Sequence, residues 1–170
     1  MKILGWIVAL AAIAFALPVH AQDRVHQGTG AIPPAAVGGP LALTYVISGV
    51  RDNGGSLNTG VATSFHCTNT NTVSEQIQIV VRKFDGTITS NNTFTLTSAR
   101  THTASTHGTN AFNEDAFLSE GIVIDQGMAF IFATSQFVFC SAMITDASTA
   151  GPVGVSLHLV RFAPLSGTQE

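Results

Sequence analysis

The sequence predicts an all-β chain, an antiparallel sandwich of seven to nine short strands held by one disulfide. Three observations predict it. Apolar residues recur at every second position in several short runs, and clusters of Gly, Asn, Asp and Pro separate those runs. The two cysteines, Cys67 and Cys140, each lie inside such a run. Helical patterning is confined to Asn113–Glu120 (NEDAFLSE), where Asn113 suits a cap and Glu114 and Asp115 suit a first turn, so one or two turns are expected there. Many short strands with little helix describe a sandwich or a closed barrel, of which the sandwich is preferred here.

The strands follow in order. Leu41, Leu43, Tyr45 and Ile47 alternate with smaller or more polar residues, and the 51–55 stretch (RDNGG) reads as the turn that ends this strand. Gly60–Cys67 is the second strand and 68–74 (TNTNTVS) a polar loop. The clearest period of two is in EQIQIVVRKF, where Ile77, Ile79 and Val81 oppose Gln76, Gln78, Val80 and Arg82. Asp85-Gly86 then predicts a two-residue type I′ hairpin. The returning strand carries Ile88, Phe94 and Leu96, with a bulge expected at Ser90-Asn91-Asn92. Asn91-Asn92-Thr93 matches a glycosylation sequon, a short pattern that arises often by chance. Residues 99–109 (ARTHTASTHGT) hold no large apolar side chain and read as an exposed edge strand or a long loop. Three more strands are expected, over Met128–Ala133, Phe137–Thr145 and Val153–Phe162.

The first 21 residues read as a cleavable export signal. Lys2 supplies a positive start, Ile3–Leu17 is an apolar run, and Val19 and Ala21 meet the small-residue requirement of signal peptidase, which places the cut before Gln22. A bilayer span needs about 20 apolar residues, more than this run supplies before Pro18. The domain plan is therefore a cleavable signal over 1–21, a flexible Gly/Pro-rich segment over 22–40, one β domain over 41–164 and a tail over 165–170. Cleavage removes Trp6, the only tryptophan. Without Lys2 the remainder has six Lys and Arg against ten Asp and Glu, a net charge near −4. That balance, with no basic stripe, argues against nucleic acid as a partner, and no second long apolar stretch predicts stable membrane insertion after cleavage. The expected location is exported, periplasmic or extracellular.

An isolated cysteine pair in an oxidising compartment is most simply a disulfide. Val61, Phe65 and Cys67 share one face, as do Val138, Cys140, Ala142 and Ile144, the pattern of an inter-sheet core bridge. A disulfide joining the second strand to the penultimate one makes the architecture immunoglobulin-like by analogy. Two departures accompany that analogy: the mature chain has no Trp, and Tyr45 is distant in sequence from Cys140, so no tyrosine corner is expected. The phrases GVATSFHCTN, FCSAMI and SLHLVRFAP resemble a group of bacterial exported β-proteins to which no activity is assigned. The resemblance spans most of the mature chain, implies an envelope or secreted location, and transfers no functional residue.

Chemistry-bearing residues are few. Five histidines follow the leader: His26, His66, His102, His107 and His158, with His66 and His158 expected to point outward from their strands. A zinc or copper site needs three or four convergent ligands. His102, His107, Glu114 and Asp115 are the only candidates within reach of one another, and they match no short metal motif. No Gly-x-Ser-x-Gly elbow is present, and Asp52, Asp85, Asp115, Glu120 and Asp125 read as turn or cap residues rather than paired catalytic carboxylates. No cofactor is expected. The favoured function is a non-catalytic binding or structural module of the envelope or secreted fraction, with an unknown protein or glycan partner. Its candidate surface is the 102–120 stretch, represented by His102, His107, Asn110, Asn113 and Glu120. The alternatives are a metal-binding periplasmic protein using these histidines and a pilin-like assembly subunit.

Overall fold

The computed structural model describes residues 39–55 and 57–162. The expected signal, nearly all of the 22–40 segment with His26, and the tail over 165–170 lie outside the described residues. Ten strands follow in order: β1 (Ala42–Asn53), β2 (Val61–Asn69), β3 (Glu75–Lys83), β4 (Ile88–Leu96), β5 (Thr101–Ser105), β6 (Ala116–Phe117), β7 (Val123–Ala133), β8 (Val138–Asp146), β9 (Gly154–Ser156) and β10 (Leu159–Arg161). They form two five-stranded sheets, the first in the order β10-β1-β7-β3-β4 and the second in the order β6-β5-β2-β8-β9. All pairings are antiparallel except β5 with β6. The chain is an all-β sandwich with one disulfide, and no described residue is helical.

The core lies between the sheets and follows the period-two pattern. Ile77, Ile79 and Val81 of β3, Ala129 and Ile131 of β7, and Tyr45 and Ile47 of β1 face inward against Phe65, Ala104, Val138 and Ala142. Burying each Ile, Val or Phe side chain contributes about 1.5–3 kcal/mol. Tyr45 adds a polar link: its hydroxyl donates to the Val138 carbonyl of β8 at 3.1 Å, across the sandwich. The tyrosine thus ends two residues from Cys140 despite the long separation in sequence, because β1 lies over β8.

The disulfide is not an inter-sheet bridge. Cys67 and Cys140 are direct partners on the neighbouring strands β2 and β8 of the second sheet, with Cα atoms 4.1 Å apart. The face assignment from sequence holds for Phe65, Cys67, Val138 and Ala142 but not for Val61, which is exposed, and the shared apolar face belongs to one sheet; this removes the main residue-level support for the immunoglobulin analogy. The predicted helical turns are also absent. Asp115 N–H donates to the Thr103 carbonyl and Leu118 N–H to the Ser105 carbonyl, so the amides a helix would use serve the pairing that forms β6. The expected last strand is two strands. β9 pairs with β8 in the second sheet and β10 with β1 in the first, so the 153–162 chain crosses between sheets.

Two local expectations shift. The β3–β4 hairpin has a three-residue loop, not a two-residue one: Lys83 N–H donates to the Thr87 carbonyl and Gly86 N–H to the Lys83 carbonyl. Gly86 takes the left-handed position at φ 86°, the arrangement of a three-residue loop with a glycine bulge. The register break then falls at Val81/Arg82, while Ser90, Asn91 and Asn92 pair regularly with Val81, Val80 and Ile79. In β1, the register shifts between Ser48 and Val50, with Gly49 at φ 85°. The extra residue reverses which face later side chains take. Tyr45 and Ile47 point inward before it; Val50 and Asp52 point inward after it. Arg51 loses its ladder partners at the next shift, and Thr63 from the opposite sheet replaces them. Its Oγ1 accepts from Arg51 N–H at 2.9 Å and donates to the Arg51 carbonyl at 2.7 Å.

Candidate functional site

The 101–120 stretch begins as β5 in the body of the second sheet, not as an exposed edge. Thr106, His107, Thr109, Leu118 and Ser119 are buried, while Asn110, Asn113, Asp115 and Glu120 are exposed. The segment 106–119 folds back as a flap beside β2 and β5. Thr106 N–H donates to the Thr63 carbonyl, Asn110 N–H to the Ala147 carbonyl, and Ser119 N–H to the Thr106 carbonyl. Glu114 serves the flap internally, its Oε1 accepting from Thr109 N–H at 3.0 Å, Thr109 Oγ1 at 2.5 Å and Ser105 Oγ at 3.2 Å. A buried hydroxyl pair lies under it, Ser64 with Ser105 at 2.8 Å, and an exposed one, Thr68 with Thr101 at 2.8 Å, follows along the same two strands.

The four metal candidates are not brought together. His107 turns into the interior, where Nδ1 lies 2.8 Å from Asp52 Oδ2 and Nε2 lies 2.9 Å from the Thr59 carbonyl. The carbonyl can only accept, so Nε2 carries a hydrogen, and both ring nitrogens are committed. Asp52 makes the side-chain turn expected of it, its Oδ1 accepting from Gly54 N–H at 2.6 Å, but it lies at the end of β1 and its side chain is fully buried, with Oδ2 given to His107. His102 faces the gap between sheets, with Nδ1 3.5 Å from Asp115 Oδ2 and its ring against Phe94, centroids 4.3 Å apart. Glu114 is spent on Thr109 and Ser105. Among the described residues no three His, Cys, Asp or Glu side chains gather as a metal ion requires.

The other histidines divide. His158 is exposed, as expected. His66 points to the outer face of its sheet but is half-buried there, because Phe112 of the flap packs edge-on against it at 4.5 Å and Thr103 Oγ1 lies 3.1 Å from Nδ1. Burial holds His66 below the ordinary histidine value, with Glu114 opposing that shift; burial likewise lowers His102, with Asp115 opposing. Asp85 is a turn residue as read from sequence, accepting from Thr87 N–H at 2.9 Å.

A feature the sequence did not reveal is the end of the sandwich where the β1–β2, β3–β4 and β6–β7 connections meet. Asn58 N–H donates to the Gly108 carbonyl at 2.9 Å, Thr89 and Ser119 hydroxyls pair at 3.0 Å, and Gly54 abuts Val123. Leu57 and Phe117 both close over Gly108, where a Cβ would meet them. This end exposes five large apolar side chains: Leu57 at 50%, Phe84 at 72%, Ile88 at 48%, Phe117 at 41% and Val123 at 45%. An open groove of about 470 Å³, formed by Gly60, Val61, Ile144, Asp146 and Val155 among others, adjoins it. No local pattern marks these residues, because they come from three separate connections and the strand ends beside them.

The fold and this end define a small two-sheet β-sandwich with a disulfide inside one sheet and an apolar, loop-built tip. No protein-family model matches the chain, and neither a curated protein nor a solved structure matches it.

Proposed function

We propose that the chain is a binding or structural module of the cell envelope or secreted fraction that engages a protein or glycan partner through the loop-built end of its sandwich. The observation that carries this reading is the gathering of Leu57, Phe84, Ile88, Phe117 and Val123 at one end. Single exposed apolar residues are ordinary on protein surfaces; several collected on adjoining loops of one end favour contact with another surface. Loops on a rigid sandwich are also where binding residues concentrate. Glu120, just after the flap, supplies an exposed polar group at the same end, and Asn110 and Asn113 of the flap are exposed as well. Export is supported by the leader pattern and the Cys67–Cys140 bridge, which persists in an oxidising compartment.

The test replaces Leu57 and Phe117 with Ser and compares crosslinked partners in the native exported fraction. Partner capture by the wild type should be lost in the variant while its circular dichroism is retained. Equal capture by both proteins would refute the reading.

A further inference from the structure

We propose that 110–118, the outer part of the flap, is acid-released: closed against the second sheet at neutral pH, it lifts when His66 and His102 take up protons, while His107 stays in its buried pair with Asp52. Release of the flap stands whether or not the loop end binds a partner.

The two histidines sit on adjacent strands and hold the flap from opposite faces of the sheet. His66 of β2 packs under Phe112, and His102 of β5 lies 3.5 Å from Asp115. In both rings Nε2 is buried with no hydrogen-bond partner. That geometry suits a neutral ring and penalises a charged one. Nδ1 of His66 already meets Thr103 Oγ1, and Nδ1 of His102 faces the Asp115 carboxylate. A doubly protonated imidazole must therefore place an N–H at Nε2, where the closed flap offers no acceptor. Lifting the outer flap takes Phe112 off the His66 ring and admits water at the sheet edge where Asp115 adjoins His102.

The charged groups acting on the rings are Glu114 toward His66 and Asp115 toward His102, both from the flap; β5 contributes Thr103 and β4 contributes Phe94. The carboxylates attract the imidazolium, but burial outweighs them at both sites. The closed state therefore binds protons more weakly than the open state. Its stability is fully present above the ordinary histidine value of 6.5 and declines as pH falls below it.

Hydrogen exchange at residue resolution tests this on the mature protein. Asn110, Asp115 and Leu118 amides are hydrogen-bonded only while the flap is closed, to the Ala147, Thr103 and Ser105 carbonyls. After correction for intrinsic rates, their protection should fall severalfold between pH 7.5 and pH 5, while that of Ile79 and Ile131 in the core stays constant. In the double variant His66→Gln with His102→Gln the pH response should vanish. Constant flap protection in the wild type overturns the proposal, as does an unchanged response in the double variant, which would place the trigger on other groups. If the double variant fails to fold, the wild-type imidazole resonances decide: titration midpoints below 6.5 support the flap, and midpoints at or above 6.5 overturn it.

Discussion

His107 Nδ1 and Asp52 Oδ2 meet at 2.8 Å with neither side chain exposed, and they come from opposite sides of the sandwich, Asp52 from β1 and His107 from the segment after β5. The pair is a clip between the two sheets. Its remaining atoms are also used, Asp52 Oδ1 by Gly54 and His107 Nε2 by Thr59. An Asp–His contact of this kind in a cleft would suggest general-base chemistry; enclosed on every side, it holds the β1–β2 connection and the flap in place.

Removing one member of a buried pair leaves the other uncompensated. His107→Ala should therefore lower stability by about 3–5 kcal/mol. Asp52→Asn should cost less, since its amide can donate to Nδ1 while its oxygen keeps the Gly54 bond. Urea denaturation of the two variants checks the order; an Asp52→Asn variant less stable than His107→Ala would contradict the clip.

Tyr45→Phe deletes the hydroxyl that reaches the Val138 carbonyl and leaves the ring in place. A loss of about 1–2 kcal/mol is expected, from the bond and the carbonyl it leaves short of a partner. The measurement is the shift in denaturation midpoint at constant m-value.

The disulfide closes a separation of 73 residues between strands already paired by the β2–β8 ladder. Reduction should lower stability by up to about 4 kcal/mol on the chain-entropy account. Because the ladder is independent of the sulfurs, the far-ultraviolet β signature should survive reduction at moderate temperature. Loss of that signature on reduction alone would show that the bridge is required for the sheet itself.

Gly49 makes the β1 bulge at φ 85°, and a Cβ there would meet Leu157 at an ordinary 3.4 Å. Gly49→Ala should cost about 1–2 kcal/mol from backbone strain alone. A larger loss, read by thermal or urea unfolding, would mean that the bulge itself had collapsed and turned Asp52 outward.

Two exposed carboxyls provide an acid-side check. Hydrogen bonds from the Thr87 backbone hold Asp85 below its ordinary value of 3.8, and the Ser148 hydroxyl and amide do the same for Asp146. Their folded values are depressed, so their contribution is present above 3.8 and fades as pH falls through the folded values. Carboxyl-carbon resonances of both residues should titrate below 3.8; midpoints at or above it would show the turns to be open in solution.

Much of the fold was legible because alternation is local. Ile77, Ile79 and Val81 announce a strand and its buried face without reference to any other residue, and β7 and β8 are legible in the same way. Cys67 and Cys140 could be paired by elimination. The candidate site was less legible. His102 and His107 were drawn from one short stretch, yet the chain directs one toward Phe94 and Asp115 and the other toward Asp52. Asp52 was hidden by the Gly49 bulge, which reverses the face on which it falls.

The sequence by itself determined the β class, the disulfide and which side chains of β3 and of the first half of β1 turn inward, since side-chain period follows from backbone geometry. Only the tertiary structure decided that the bridge lies within one sheet, that 153–162 crosses between sheets, and that a helix-like stretch becomes β6. The physical reason is that alternation names a buried face but not the strand beside it. Ladder hydrogen bonds are made between backbone groups common to every residue, so neighbours are chosen by packing of the whole core. The apolar end and the His107–Asp52 clip are products of that choice, assembled from residues that no local pattern connects.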